Sequence, residues 1–189
     1  MNEKNIILTG VGGQGLVLTT QIICEAAFDA GYDVKSNDVV GLSQRGGKVW
    51  GSVRIGEKIY SPNVPPKSAD ILLALEPLEG LRWSGALKDN GVIIMNVHEV
   101  APVFVIAEKE EYPSNIEEEL SQKYEVNAID AVKEGNKLGS SKVANTFLLG
   151  KMANYMEIPL DSWKKAIREN VPKKFVDMNI EAFDIGYRY

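Results

Sequence analysis

The run NIILTGVGGQGLVLTTQIICEAAFDAG, residues 5–31, constrains the fold more than any other stretch. It opens with β-branched and apolar residues that read as a short buried strand, ended by glycine. From Leu16 to Ala30 the apolar residues Ile22, Ile23, Ala26 and Ala27 recur at helical spacing, and Gly31 supplies a stop. YDVKS then reads as a second strand, completing a strand–helix–strand unit whose crossover is expected to be right-handed. Inside the first turn, Gly10, Gly12 and Gly15 fit G-x-G-x-x-G. Such glycines let a backbone approach a pyrophosphate at a helix N-terminus. Asp38 stands near the distance, about 20 residues on, at which an acidic residue bonds a ribose. The same glycines also serve a plain tight turn. A stand-alone NAD- or FAD-binding Rossmann module is therefore one reading, and a turn without NAD is the other.

The rest of the chain alternates in the same manner. VVGLSQRGGKV reads as a loop. In the following stretch Val49, Gly51, Val53 and Ile55 share one face and Lys48, Trp50, Ser52 and Arg54 the other. That is a strand with one wetter face, expected to turn at Gly56-Glu57 into a second strand through Ile59 and Tyr60. ADILLALEP and GVIIMNV read as buried strands, with Pro77 opening a helix that covers Leu78, Leu81 and Leu87. VFVIA is a further apolar run; 116–122 reads as helical, 124–129 as extended, and Asp130 as the cap of the next helix. A helix from Ser141 carries Val143, Phe147 and Tyr155 and ends by Pro159; two more follow, around Trp163 and through Phe175 to Gly186. With 189 residues and no linker or repeat, the expectation is a single domain, 1–189. Its class is α/β: a Rossmann-like three-layer domain with a mixed, mainly parallel sheet and an inserted β-hairpin.

Composition removes several functions. A net charge of -5 without a basic stripe argues against nucleic acid. No apolar run approaches the ~18 residues of a membrane span, and MNEKNIILTG lacks the basic-then-apolar order of a signal peptide, so a cytoplasmic location is expected. Cys24 is the sole cysteine, and iron–sulfur clusters need several thiolates. It reads as a buried, inert thiol. No catalytic residue and no metal ligand set stands out: His98, the sole histidine, has no partners in triad or metal-ligand order and reads as a loop residue. The contact candidates are Gly12, Gly13, Gln14 and Gly15 in the glycine turn, and Gln44, Arg45, Gly46 and Gly47 in QRGG, where an arginine fork beside flexible amides suits a phosphate, a carboxylate or a partner subunit. Glu76 is the last. It ends a buried strand, so it either faces the crevice or serves the helix behind it, and the second reading is preferred.

GVGGQGLVL, SQRGGKVWGSVRIG, YSP, ADILLALEPLEGLR, GVIIMN, ANTFLLG and NIEAFDIG occur in this order. Together they resemble the gamma-type small subunits of 2-oxoacid ferredoxin oxidoreductases over nearly the whole chain. Gln44-Arg45 and Leu75 to Glu79 look more like the indolepyruvate branch than the pyruvate one. The resemblance implies oxidative decarboxylation of a 2-oxoacid with CoA, giving an acyl-CoA, carbon dioxide and reduced ferredoxin. The oxoacid would be an arylpyruvate; gamma subunits for pyruvate, 2-oxoglutarate or ketoisovalerate are the alternative. It also implies that thiamine diphosphate, Mg and iron–sulfur clusters sit on a partner, the large alpha subunit, with no cofactor on this chain. Ferredoxin and CoA would then be met through the complex; the isolated chain is expected to be able to pair with itself.

Overall fold

The computed structural model describes residues 3–39, 46–100 and 112–189, with nothing described of the side chains of 38 and 39. Its centre is one six-stranded sheet of order β2-β3-β1-β4-β5-β6. The strands are β1 Lys4–Val11, β2 Asp33–Val39, β3 Lys48–Gly56, β4 Ala69–Ala74, β5 Leu87–Asn96 and β6 Glu125–Ile129. β1, β4, β5 and β6 run parallel. β3 runs antiparallel to both of its neighbours, β1 and β2.

Among the described residues seven α-helices cover the sheet: α1 Leu16–Asp29, α2 Pro77–Trp83, α3 Ile116–Ser121, α4 Ala131–Lys137, α5 Ala144–Ala153, α6 Leu160–Asn170 and α7 Val176–Arg188. Alternation along β1 splits the core. Ile6 and Leu8 face the layer that holds Ile22, Ala26, Phe147, Trp163 and Phe183. Ile7 faces the opposite layer, where Leu78 of α2 and Leu120 of α3 pack with Leu72, Ile93 and Met95. This is the expected three-layer α/β domain with a mixed, mainly parallel sheet. No helix of the described residues is long and apolar enough to cross a membrane.

The hairpin lies elsewhere than expected. Ile59 and Tyr60 form no strand; β3 pairs instead with β2, from Asp33↔Gly56 to Val39↔Trp50. The cause is local. The Asp33 carboxylate accepts the Ile59 N–H at 2.9 Å, Ser52 Oγ bonds the Pro62 carbonyl at 2.9 Å, and Arg54 bonds the carbonyls of Ser61 and Asn63. The backbone after Gly56 is therefore held as a strap across β3 by side chains, with Tyr60 turned to solvent. Two boundaries also move: Leu87 begins β5, and Phe175 lies in the 3-10 turn before α7. The run VFVIA lies outside the described residues.

Two of the sequence motifs explain themselves as helix packing. Gly150, in ANTFLLG, and Gly186, in NIEAFDIG, sit where α5 and α7 touch backbone to backbone. A Cβ on Gly150 would lie 2.2 Å from the Phe183 carbonyl oxygen, and one on Gly186 2.0 Å from that of Phe147. Neither carbonyl is the movable end of a side chain, so the helices would have to part. Gly150→Ala and Gly186→Ala are each expected to cost about 3 kcal/mol or more, at the upper end of overpacking effects. Urea denaturation followed by circular dichroism checks this; an unchanged midpoint would contradict the packing.

Candidate functional site

The glycine turn follows β1 at the carboxyl edge of the sheet. From β1 the chain goes to β2 and β3 on one side, and from β4 to β5 and β6 on the other. The crevice between β1 and β4 is thus the topological switch point, where open α/β sheets bind ligands. A cavity of about 450 Å³ opens there, between the turn, Leu75, the end of β5 and the start of α5.

Three sets of bonds shape the turn. First, the β1–β3 ladder continues past Val11: Gly12 N–H donates to the Gly47 carbonyl at 2.8 Å, and Gly46 N–H to the Gly12 carbonyl at 3.1 Å. The two glycine stretches singled out in the sequence are therefore bonded to each other. Second, Gln14 uses both ends of its side chain on the protein. Its Oε1 accepts from Val11 N–H at 2.7 Å and its Nε2 donates to the Leu75 carbonyl at 3.2 Å. Third, Asn145 at the start of α5 donates to the Gln14 carbonyl at 2.7 Å and to Thr19 Oγ1 at 3.0 Å. Gly13 and Gly15 have φ of +103° and +80°, a region that side chains other than glycine rarely enter.

The opening presents hydrogen-bond donors. Gly15 caps α1 without a side-chain bond, and no acidic residue stands in the first turn. The positive end of α1 is thus left without a built-in anion. Ser141, Lys142 and His98 add donors at the rim, and no carboxylate lines the cavity among the described residues. That donor set does not suit a magnesium-bound diphosphate, which needs oxygen ligands. The half-buried Cys24 thiol is likewise no set of cluster ligands.

The geometry also bears on the dinucleotide reading. In dinucleotide-binding sheets the strand after the first helix lies beside the first strand. Here β3 lies between β1 and β2, so the end of β2 with Asp38 is two strands from β1, about 10 Å away at the usual strand spacing.

Of the contact candidates, Gly12, Gly13, Gln14 and Gly15 meet Gly46 and Gly47 at this edge, while Gln44 and Arg45 lie outside the described residues. Glu76 does not line the cavity. It caps α2, accepting from Glu79 N–H at 2.9 Å and from the Tyr112 hydroxyl, which itself accepts the Leu78 N–H at 3.1 Å. Glu79 is equally buried, pairs with Arg82 at 2.5 Å, and has Lys48 near it. Trp83 of α2 stacks on Trp50 of β3 at 4.5 Å. The LEPLE motif and the strand residues Lys48 and Trp50 thus meet around the buried Glu79. Sequence reasoning missed Asn145, Ser141 and Lys142, which a later helix brings to the turn, and placed His98 merely on a loop.

Burial raises the pKa of Glu76 above the carboxylate range, and the hydrogen bonds from Tyr112, Glu79 and Val100 offset this only partly. Burial, reinforced by Glu76, pushes the Tyr112 hydroxyl well up, so it stays a donor. A carboxyl with a raised folded pKa favours the folded state at pH below its unfolded value, and this contribution is lost as pH rises through the folded one. Glu76→Gln keeps the acceptor for the cap without the charge. The variant is expected to match the wild type near pH 4 and to gain on it as pH rises toward 8, measured by urea denaturation. A difference that stays constant with pH would show that Glu76 does not titrate abnormally.

Comparison with known proteins agrees with this picture. The family model described as pyruvate ferredoxin/flavodoxin oxidoreductase matches residues 5–189. The indolepyruvate oxidoreductase subunit IorB of Pyrococcus horikoshii is 38% identical over 196 residues, covering 100% of this chain and 96% of its own. The pyruvate synthase subunit PorC of Methanothermobacter marburgensis is 29% identical, covering 94% of this chain and 92% of its own. Among solved structures, the gamma subunit of keto/oxoacid ferredoxin oxidoreductase from Geobacter sulfurreducens superposes with a TM-score of 0.73 at 27% identity, over 98% of this chain and 96% of that one. The likeness thus runs over the full length, and the chain belongs to the pyruvate ferredoxin/flavodoxin oxidoreductase family.

Proposed function

We propose that this chain is the small, cofactor-free subunit of an indolepyruvate ferredoxin oxidoreductase. The observation that carries the reading is the full-length likeness, 38% to a subunit named for indolepyruvate against 29% to one named for pyruvate. In this reading a large alpha subunit holds thiamine diphosphate, magnesium and iron–sulfur clusters, which supply the carbanion and electron chemistry. The assembled, cytoplasmic enzyme converts an arylpyruvate and CoA into an aryl-acyl-CoA and carbon dioxide, passing the electrons to ferredoxin.

What this chain contributes is binding and closure. The crevice at the glycine turn, with the open end of α1, Lys142 and Ser141, takes a phosphate of CoA or a carboxylate of the partner subunit. Val17 and Leu18, beside the turn, are 53% and 39% exposed, and apolar side chains at a cleft mouth suit coverage by a partner. Gly46 and Gly47 are bonded to the turn, and Gln44 and Arg45, which precede them in the sequence, are proposed as further contacts to the partner. Glu76 acts from behind: through Val100, whose backbone bonds it and which lines the cavity, it fixes one wall.

The test is reconstitution. Co-expression with the large subunit is expected to yield a complex that reduces ferredoxin with indolepyruvate and CoA faster than with pyruvate or 2-oxoglutarate. The isolated chain should be inactive, without a visible iron band, and should show no saturable NADH binding in the micromolar range. Arg45→Ala should lower assembly or turnover by about tenfold or more while the isolated chain stays folded, as expected when one charge of an interface pair is removed. A catalytically competent isolated chain, or a complex that prefers pyruvate, would overturn the reading.

A further inference from the structure

Asn145 carries an arrangement that the binding site depends on. It lies 131 residues from Gln14 in sequence and at the first turn of α5, yet it reaches across the crevice to the glycine turn. Its amide nitrogen has two hydrogens, and both are engaged, by the Gln14 carbonyl at 2.7 Å and Thr19 Oγ1 at 3.0 Å. Thr19 in turn donates its only hydroxyl hydrogen to the Gly15 carbonyl at 3.0 Å. The direction of the relay is thereby forced. With its proton committed to Gly15, Thr19 Oγ1 can only accept, and a reversed Asn145 amide would set oxygen against the Gln14 carbonyl oxygen.

The relay grips the carbonyls of Gln14 and Gly15, the two peptides on either side of Gly15. A trans peptide is planar, with its N–H opposite its C=O. Fixing these carbonyls therefore fixes the amides of Gly15 and Leu16, and neither amide has an acceptor among the described residues. Asn145 is close enough that a Cβ on Gly15 would touch its Nδ2 at 3.4 Å. From the other side, the Gln14 side chain ties the turn to Val11 and Leu75. Without the relay, a turn with glycines at 12, 13 and 15 would sample many conformations and would have to be ordered by its ligand, which weakens binding.

We propose that Asn145, acting with Thr19, is a positioning residue that holds the glycine turn in its anion-accepting conformation before ligand arrives. This rests on the reading that the crevice receives the phosphate portion of CoA. Asn145 does not act on the reacting atoms, so its loss separates affinity from chemistry.

The experiment uses the assembled complex with indolepyruvate, CoA and ferredoxin. Asn145→Leu removes the donors at similar volume, and Thr19→Val breaks the relay at its second link. Each is expected to raise the KM for CoA by about tenfold, the size of one or two net hydrogen bonds, with kcat and the KM for indolepyruvate within about twofold of wild type. Lys142→Met, at the rim of the same cavity, reports whether CoA uses the crevice at all. If Lys142→Met raises the KM for CoA and both relay variants leave it unchanged, the role of Asn145 is refuted while the crevice reading stands. If all three leave it unchanged, both fall. Should the Asn145 variant not assemble, Thr19→Val decides by the same split; equal losses in kcat and in both KM values would mark a merely structural contact.

Discussion

The antiparallel strand β3, threaded between β1 and β2, is the constraint on which the rest of this molecule depends. It pairs with β1 from Lys48 to Ile55 and with β2 from Trp50 to Gly56, so neither can approach the other. One consequence is at its start, where the ladder with β1 does not stop at the strand end but runs on through Gly12, Gly46 and Gly47. Gly46 has a φ of +74°, a conformation that side chains rarely adopt, so glycine lets the ladder continue there. The other consequence is lateral. In a dinucleotide site the second strand lies beside the first and brings the acidic contact, whereas here β3 stands between them. What remains is a helix N-terminus and free amides, chemistry suited to a smaller anionic group.

The opposite wall is set by buried acids that do no chemistry of their own. Glu76 and Glu79 are one helical turn apart and both fully buried, an arrangement that would be costly without partners. Glu76 is answered by Tyr112 and the α2 amide, Glu79 by Arg82, and the Trp50–Trp83 stack closes the cluster against β3. Because Trp50 and Lys48 belong to the strand that follows the QRGG loop, and α2 follows β4, this cluster clamps the two sides of the switch point together. The charged residues of LEPLE thus act in architecture, and the sequence preference for a capping role of Glu76 agrees with the geometry.

How much could be read beforehand follows from which forces are local. Apolar runs such as ILLAL and GVIIM declare buried strands, and Asp130 and Pro77 declare helix starts, because those signals act within a few residues. The hairpin was misplaced because alternation shows that 48–55 is a strand but not with which strand it pairs. The bond from Ile59 N–H to the Asp33 carboxylate joins residues 26 apart, whose nearness only the fold creates. The same holds at the site: the glycines were legible as a turn, whereas Asn145, Lys142 and His98 carry no local mark of their position. Gln14 carried the reverse difficulty. A polar side chain in a glycine turn looks like a ligand contact, yet its amide closes the turn itself.

These strands meet in helix α5. Asn145 and Gly150 stand five residues apart on it, about 7.5 Å along the axis. At one end Gly150 lets α5 settle against α7 with no side chain between them, which fixes the height and tilt of the helix over the sheet. At the other end Asn145 takes hold of the Gln14 carbonyl. A displacement of α5 by a single methyl's thickness would carry the Asn145 amide beyond hydrogen-bond reach of the turn. The close helix contact at Gly150 and Gly186 is therefore not only a matter of stability: it sets the position from which the relay acts, and so links the packing of the C-terminal helices to the shape of a turn formed near the other end of the chain.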